Sequence, residues 1–297
     1  HPGKRDAQES RGLGDVYKRQ PNHIQVTNMR LSFTKMNGAG NDFVVIDNRD
    51  LSIHLDSRQI ARICNRHRGV GADGLLVVEP PQGDADFRFR YYNADGGEAE
   101  MCGNGARCFG RYTALLTPDE QETLSFETIA GDLSSRMIGD DVEVTMSDPF
   151  DLQLDSGVAV EGLDGPVHSL NTGVPHALSF VHDLANFDVR KVGSAIRYHS
   201  YFPNGTNANF VEELKPGHIA IRTYERGVED ETLACGTGMV ACSIVYHLLK
   251  GIPAPIKVNV LGGDTLGISF EGNQDTGFHK VTLTGPADFV FEGEISL

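Results

Sequence analysis

Cys102-Gly103-Asn104-Gly105 and Cys235-Gly236-Thr237-Gly238 are one phrase written twice: a cysteine, a glycine-rich turn, then an apolar stretch of helical period. A cysteine at a helix start meets unpaired backbone N–H groups and the positive end of the macrodipole, so both thiols are expected to have depressed pKa values. The repeat extends outward from the cysteines. Gly38-Ala39-Gly40-Asn41-Asp42-Phe43 and Gly173-Val174-Pro175-His176-Ala177-Leu178 each lead into an apolar strand, 135 residues apart from Gly38 to Gly173. Gly71-Ala72-Asp73-Gly74-Leu75 and Thr206-Asn207-Ala208-Asn209-Phe210 keep that offset, and the cysteines are 133 apart. Three landmarks in one order, within two residues of one offset, imply two similar halves, each presenting one cysteine; a solenoid would repeat at a much shorter period.

The chain has 297 residues, enough for two domains. It is 39% hydrophobic and 23% charged, and no apolar run approaches the ~18 residues of a membrane span. A net charge of −15 argues against a nucleic-acid partner. The cysteines are Cys64, Cys102, Cys108, Cys235 and Cys242; an odd count without a secretion signal points to the reducing cytoplasm, and the absence of a CxxC pair argues against a structural zinc site. Residues 1–28 are polar and aperiodic, Met29 is a plausible start, and this stretch is expected to be a disordered or adventitious extension.

Alternation of period two marks half-buried strands at Phe87, Phe89 and Tyr91; at Val142, Val144 and Met146; at Ile219 and Ile221; at Val281 and Leu283; and at Phe289 and Phe291. Helices are expected over Ser57 to His67 with Ser57 as N-cap, over Asn104 to Leu116, and over Thr237 to Leu249, the last ending in a basic turn and the C-cap glycine Gly251. The second and third are apolar on most faces and should be buried. The expected fold is α+β: two pseudo-symmetric domains, each a mixed or antiparallel β-sheet wrapped around a central buried helix with a cysteine at its start, joined near Asp148-Pro149.

Cys64, Cys108 and Cys242 read as small core hydrophobes. Cys102 and Cys235 read differently, because glycines beside them let a ligand approach the backbone N–H groups. A lone nucleophilic cysteine needs a histidine base, which explains one thiol and not a symmetric pair. A pair suits moving a proton across the two faces of one carbon: one thiolate removes it, the opposite thiol returns one, and two helix N-termini steady the enolate-like intermediate. Such chemistry requires no electron-sink cofactor. There is no P-loop, and Gly38-Ala39-Gly40 falls short of a dinucleotide fingerprint.

The chain resembles the diaminopimelate epimerase family in Lys35-Met36-Asn37-Gly38-Ala39-Gly40-Asn41-Asp42-Phe43, Tyr92-Asn93-Ala94-Asp95-Gly96, Met101 to Phe109, and Tyr224-Glu225-Arg226 through Cys235-Gly236-Thr237-Gly238. The resemblance runs from about Met29 to the C-terminus. It implies the pseudo-twofold fold, no cofactor and no metal, a homodimer, and interconversion of LL- and meso-2,6-diaminopimelate in lysine and cell-wall precursor synthesis. It implies Cys102 as base and Cys235 as acid in one direction, with His176 and Glu225 supporting catalysis. Substrate binding maps onto Asn41, Asn93, Gly103, Asn104, Asn207, Glu225, Arg226, Gly236 and Thr237. With that fold, residues 29–147 plus 284–297 are expected to form one domain and 148–283 the other.

These roles suit the residue types. Arg226 can grip a carboxylate bidentately, Glu225 can accept from an ammonium, and the asparagines offer donors and acceptors together. Taken alone, each asparagine reads as a turn residue, Arg226 and Glu225 as a solvated ion pair, His176 as a satisfied loop histidine, and Arg107 as structural. Three positions depart from the family pattern: Gly74 stands where a glutamine or other polar residue is usual, Val174 where an asparagine is, and Phe291 where a dimer-contact tyrosine is. Gly74 and Val174 motivate a second reading, a racemase on the same fold for histidine, proline derivatives or a related amino acid. A third, a non-enzymatic binding or redox-sensing module using the cysteine pair, requires a Cys102–Cys235 disulfide as its working state.

Overall fold

The computed structural model describes residues 29–117 and 122–297; the expectation for residues 1–28 lies outside them. Both halves follow one pairing scheme. In the first, strand Arg30–Gly38 is antiparallel to Asn41–Asp47, which lies parallel to Gly74–Glu79 across helix α1 (Ser57–Cys64). Gly74–Glu79 is antiparallel to Phe87–Asn93, which lies parallel to Leu124–Thr128 across helix α2 (Gly103–Leu116). Gly131–Ile138 and Asp141–Thr145 finish the half as an antiparallel meander. In the second half, His168–Asn171, Pro175–Phe180, Asn207–Lys215, His218–Glu225, Ile256–Asn259, Thr265–Asn273 and Gly277–Gly285 repeat that order of antiparallel and parallel steps. Helices α3 (Val189–Arg197) and α4 (Gly236–Lys250) make its two crossovers, since parallel neighbours cannot be joined by a tight turn.

Each half ends in a strand that completes the other. Phe150–Gln153 follows the first half and pairs with His168–Asn171. Asp288–Ser296 follows the second and pairs with Arg30–Gly38. Gly277–Gly285 also pairs with Asp141–Thr145, so the two expected sheets are hydrogen-bonded into one network.

The sheets curl around α2 and α4, which carry the main core. Helix α2 touches Arg30–Gly38, Asn41–Asp47, Gly74–Glu79, Phe87–Asn93 and the meander beyond; α4 touches the matching strands of the second half. Phe109 sits edge-on to Phe89 at 4.9 Å and against Phe126 at 5.1 Å. Smaller clusters lie under α1, around Ile60 and Ile63, and under α3, around Val192 and Ile196. Cys64, Cys108 and Cys242 are buried, and all five cysteines are free thiols.

The local expectations hold with corrections. The N-cap of α1 is Asp56 and not Ser57: its carboxylate accepts from the Gln59 N–H at 2.8 Å, while Gln59 Oε1 accepts from the Asp56 N–H at 2.9 Å, a capping box. The helix stops at Cys64, where Asn65 turns extended. Helix α4 ends as expected at Gly251, whose φ of 68° suits a glycine C-cap. Helix α3 was not expected; nine residues capped by Asp188 give too short a period to stand out. Leu115 and Leu249 point outward, 70% and 44% exposed, while Leu116 and Leu248 beside them still pack against the core. Phe289 and Phe291 are also exposed, because Asp288–Ser296 is an outer strand; Phe291 rests edge-on against Phe33 at 5.8 Å.

Candidate active site

Cys102 and Cys235 are the N-cap residues of α2 and α4, both with extended backbone. The two helix starts meet through their first glycines. A Cβ on Gly103 would stand 3.7 Å from the Gly236 Cα and 3.3 Å from Leu283 Cδ2; one on Gly236 would stand 3.6 Å from the Gly103 Cα. Leu283 and Met146 form a shared apolar floor beneath both glycines. The second glycine of each phrase also has a steric reason: a Cβ on Gly238 would lie 2.4 Å from Asn209 Oδ1, and one on Gly105 3.2 Å from Leu76.

A hydrogen-bonded relay backs Cys235. Asn209 Oδ1 accepts from the Thr223 hydroxyl at 2.9 Å, and its Nδ2 donates to the Ala177 carbonyl and to His176 Nδ1, both at 3.0 Å. That orientation makes Nδ1 the acceptor and puts the imidazole proton on Nε2, which donates to Thr237 Oγ1 at 2.9 Å. The Thr237 hydroxyl then faces Cys235 Sγ at 3.6 Å. Burial, with the nearby Arg226 charge, drives His176 down to about 3, so it is a neutral donor at physiological pH.

A different network backs Cys102. Arg107 Nη2 donates to Asn104 Oδ1 at 3.0 Å, and Asn104 Nδ2 donates to Asn41 Oδ1 at 2.5 Å. Asn41 Nδ2 donates in turn to Asp73 Oδ2 at 3.0 Å, and Arg66 bridges Asp73 and Asp42. Glu225 is half-buried and lies near both cysteines; its carboxylate accepts from the Thr232 hydroxyl at 2.8 Å, and burial raises its pKa. Asn207 Oδ1 accepts from the Arg226 N–H at 2.8 Å. The Arg226 guanidinium bonds the Asn204 carbonyl and has no carboxylate partner among the described residues. Asn93 is exposed at the rim, opposite Gly74 in register, and accepts from the Tyr91 hydroxyl at 2.8 Å.

Both thiols are raised and not depressed, which corrects the expectation drawn from helix starts. The Asn104 and Gly105 N–H groups do favour the Cys102 thiolate, as the Gly238 N–H and Thr237 hydroxyl favour that of Cys235. Burial outweighs them, adding to the raising effect of Glu225, and pushes Cys235 up to about 12.

Two residues of the quoted landmarks had no role assigned from sequence. Asn209 orients His176, and Asp73 orients Asn41. Asn209 was signalled by its two-residue spacing from Asn207, which puts two amides on one face of a buried strand. Tyr91 is a strand residue in the sequence pattern, and its phenol lies near Cys102, Asp73 and Glu225. It also explains Gly74: a Cβ there would lie 2.6 Å from the Tyr91 ring and 2.7 Å from the Tyr92 carbonyl, so no side chain fits.

The buried imidazole has a consequence for stability. Between the ordinary value of 6.5 and about 3, the unfolded chain binds a proton at this position and the folded chain does not, so stability rises with pH across that window. Acidification from pH 7 towards 3 is expected to cost on the order of a few kcal/mol through His176. Urea titrations at several pH values should show the slope flattened in His176→Gln; equal slopes in both proteins would count against it.

The doubled architecture is that of several solved structures. A Bacillus anthracis phenazine biosynthesis protein of the PhzF family superposes with a TM-score of 0.69 at 18% identity, covering 91% of this chain and 100% of that one. A hydroxyproline epimerase from Agrobacterium vitis superposes with a TM-score of 0.66 at 18% identity, covering 90% and 91%. The class is therefore the pseudo-symmetric α+β fold with a helix at the heart of each half. Within it, the sequence profile described as diaminopimelate epimerase matches residues 33–150 and 168–290. Curated diaminopimelate epimerases from Nitrosospira multiformis (40% identical, 91% of this chain and 99% of that one) and Aquifex aeolicus (42% identical, 90% and 98%) align over nearly the whole length. The chain belongs to the diaminopimelate epimerase family.

Proposed function

We propose that the protein interconverts LL- and meso-2,6-diaminopimelate by passing a proton across one α-carbon between Cys102 and Cys235. The observation that carries this reading is the meeting of two cysteine-bearing helix N-termini at Gly103 and Gly236. The α-carboxylate would lie between those termini, where N–H groups and both dipoles favour the charge that grows as the α-proton leaves. One thiolate takes the proton, the opposite thiol supplies another, and each cysteine ends in the state in which the other began. Glu225 would receive the α-ammonium, and His176 through Thr237 would steady Cys235. Asn41, Asn93, Asn104, Asn207 and Arg226 would hold the rest of the amino acid, Arg226 by a guanidinium that has no carboxylate partner among the described residues.

Residues 29–147 with 284–297 and residues 148–283 act as the two domains in this reading, closing on substrate to exclude water. The protein is taken to work in the cytoplasm as a homodimer, for which exposed Phe289, Val290 and Phe291 on an outer strand offer an apolar edge. The test is incubation of reduced protein with LL-diaminopimelate in D2O, followed by NMR of the α-proton and chiral separation. Deuterated meso product is expected. No exchange with both cysteines confirmed free would move the substrate to another amino acid on the same fold.

A further inference from the structure

Arg107 is a fully buried cation without an anion. No carboxylate lies within ion-pair distance of it among the described residues, and its three hydrogen bonds end on neutral oxygens: the Pro286 carbonyl at 3.2 Å, the Gly103 carbonyl at 3.3 Å and Asn104 Oδ1 at 3.0 Å. Taking a guanidinium out of water without a counter-charge is costly. Its place near the start of α2 makes matters worse, since the helix end there is itself positive. The titratable groups that bear on it are Cys108, Cys102, Asp264 and Asp141, the two aspartates beyond ion-pair distance. Cys108 is buried, its thiol pushed up to about 12, and remains neutral. Of the nearby groups that open on the site, Cys102 is the one that can become an anion.

The other half has no such cation. Counting five residues on from each cysteine reaches Arg107 in α2 and Val240 in α4, so pseudo-symmetry breaks at this point. Facing Cys102 are Arg107 and the Asn104 and Gly105 N–H groups from its own helix, Glu225 from strand His218–Glu225, Tyr91 from strand Phe87–Asn93, and Cys235 from α4. Facing Cys235 are Glu225, the Thr237 hydroxyl, the Gly238 N–H and Cys102. Glu225 opposes a thiolate at either cysteine, and the guanidinium, on the helix that Cys102 caps, favours one at Cys102.

We propose that Arg107 is a positioning residue that makes Cys102 the more acidic of the two thiols in the substrate-free protein, and so the first to give a thiolate. It does so by charge and by holding Asn104 through its side-chain Oδ1, the residue whose backbone N–H favours the Cys102 thiolate. The proposal rests on the two-thiol reading above for its consequence: the resting enzyme is poised to take the proton from the epimer whose α-hydrogen faces Cys102.

The experiment is the pH dependence of alkylation by iodoacetamide, in which a thiolate displaces iodide, followed at each cysteine by peptide mass spectrometry of the full chain. In the native protein the Cys102 midpoint is expected about one pH unit or more below that of Cys235. Arg107→Gln, neutral but still hydrogen-bonding, is expected to raise the Cys102 midpoint by about one unit, roughly a tenfold loss of thiolate, and to leave Cys235 in place. Arg107→Lys should keep the native order. The proposal is overturned if Cys102 does not titrate below Cys235 in the native protein, a comparison that stands even where Arg107→Gln fails to fold. It is also overturned if a folded Arg107→Gln leaves Cys102 unmoved or shifts both thiols alike. Thiols that titrate in the expected order in a protein inert towards diaminopimelate would refute the substrate and not this proposal.

Discussion

Replacement of Cys102 or of Cys235 by alanine is expected to lower turnover by on the order of a thousandfold or more, since a positioned acid or base contributes about 10²–10⁴ and inversion needs one on each face. The two single variants should nevertheless differ in what they retain. With Cys235→Ala, Cys102 can still remove the α-proton of the epimer whose hydrogen faces it and return deuterium from solvent to the same face. The product is exchange without inversion, confined to one stereoisomer. Cys102→Ala should show the same behaviour for the opposite stereoisomer. Parallel assays of exchange by NMR and of inversion by chiral separation measure this directly. Turnover within tenfold of native in either variant would exclude the two-thiol mechanism, and equal exchange from both stereoisomers in both variants would exclude the assignment of faces.

Phe109→Ala is expected to destabilise the protein by about 3–5 kcal/mol, the range for truncating a buried aromatic where the surroundings cannot collapse. The ring has no exposed surface and is boxed by Phe89 and Phe126, and the neighbouring helix positions are already packed against strands on several sides. Against a total stability of about 5–15 kcal/mol, that is a large share. Because α2 carries both Phe109 and Cys102, the variant should lose activity at the temperature where its helix loosens. Urea unfolding followed by circular dichroism gives the value, and a loss below about 1 kcal/mol would mean that the cavity is filled by repacking.

The sequence was most legible where one residue type has a single physical use. Cysteine followed by glycine, another residue and glycine marks a helix start open to a ligand, and both phrases lie at helix starts. Gly251 after a basic turn marks a helix end, and φ there is positive. Roles set by neighbours across strands were not legible. Asn209 and Asp73 look like turn or strand polar residues until His176 and Asn41 lie beside them. Thiol acidity was misjudged because the favourable N–H groups are local and visible in sequence, whereas burial is a property of both halves together. Gly74 looked like a lost contact, and the Tyr91 ring that occupies its space comes from the next strand.

Because each half lends its last strand to the other, the chain passes between the halves twice, once between Thr145 and Phe150 and once between Gly285 and Asp288. The pairing of Gly277–Gly285 with Asp141–Thr145 lays the two crossings side by side, so the halves are clasped along one line. Any motion admitting substrate has to pivot on the two crossings, and Met146 and Leu283, the floor under Gly103 and Gly236, lie beside them. Opening is therefore expected to swing the rim at Asn93 and Arg226 through the larger arc while the cysteine-bearing helix starts stay nearly still. Slow amide exchange at Met146 and Leu283, against faster exchange at Arg226 that slows with substrate, would register that difference.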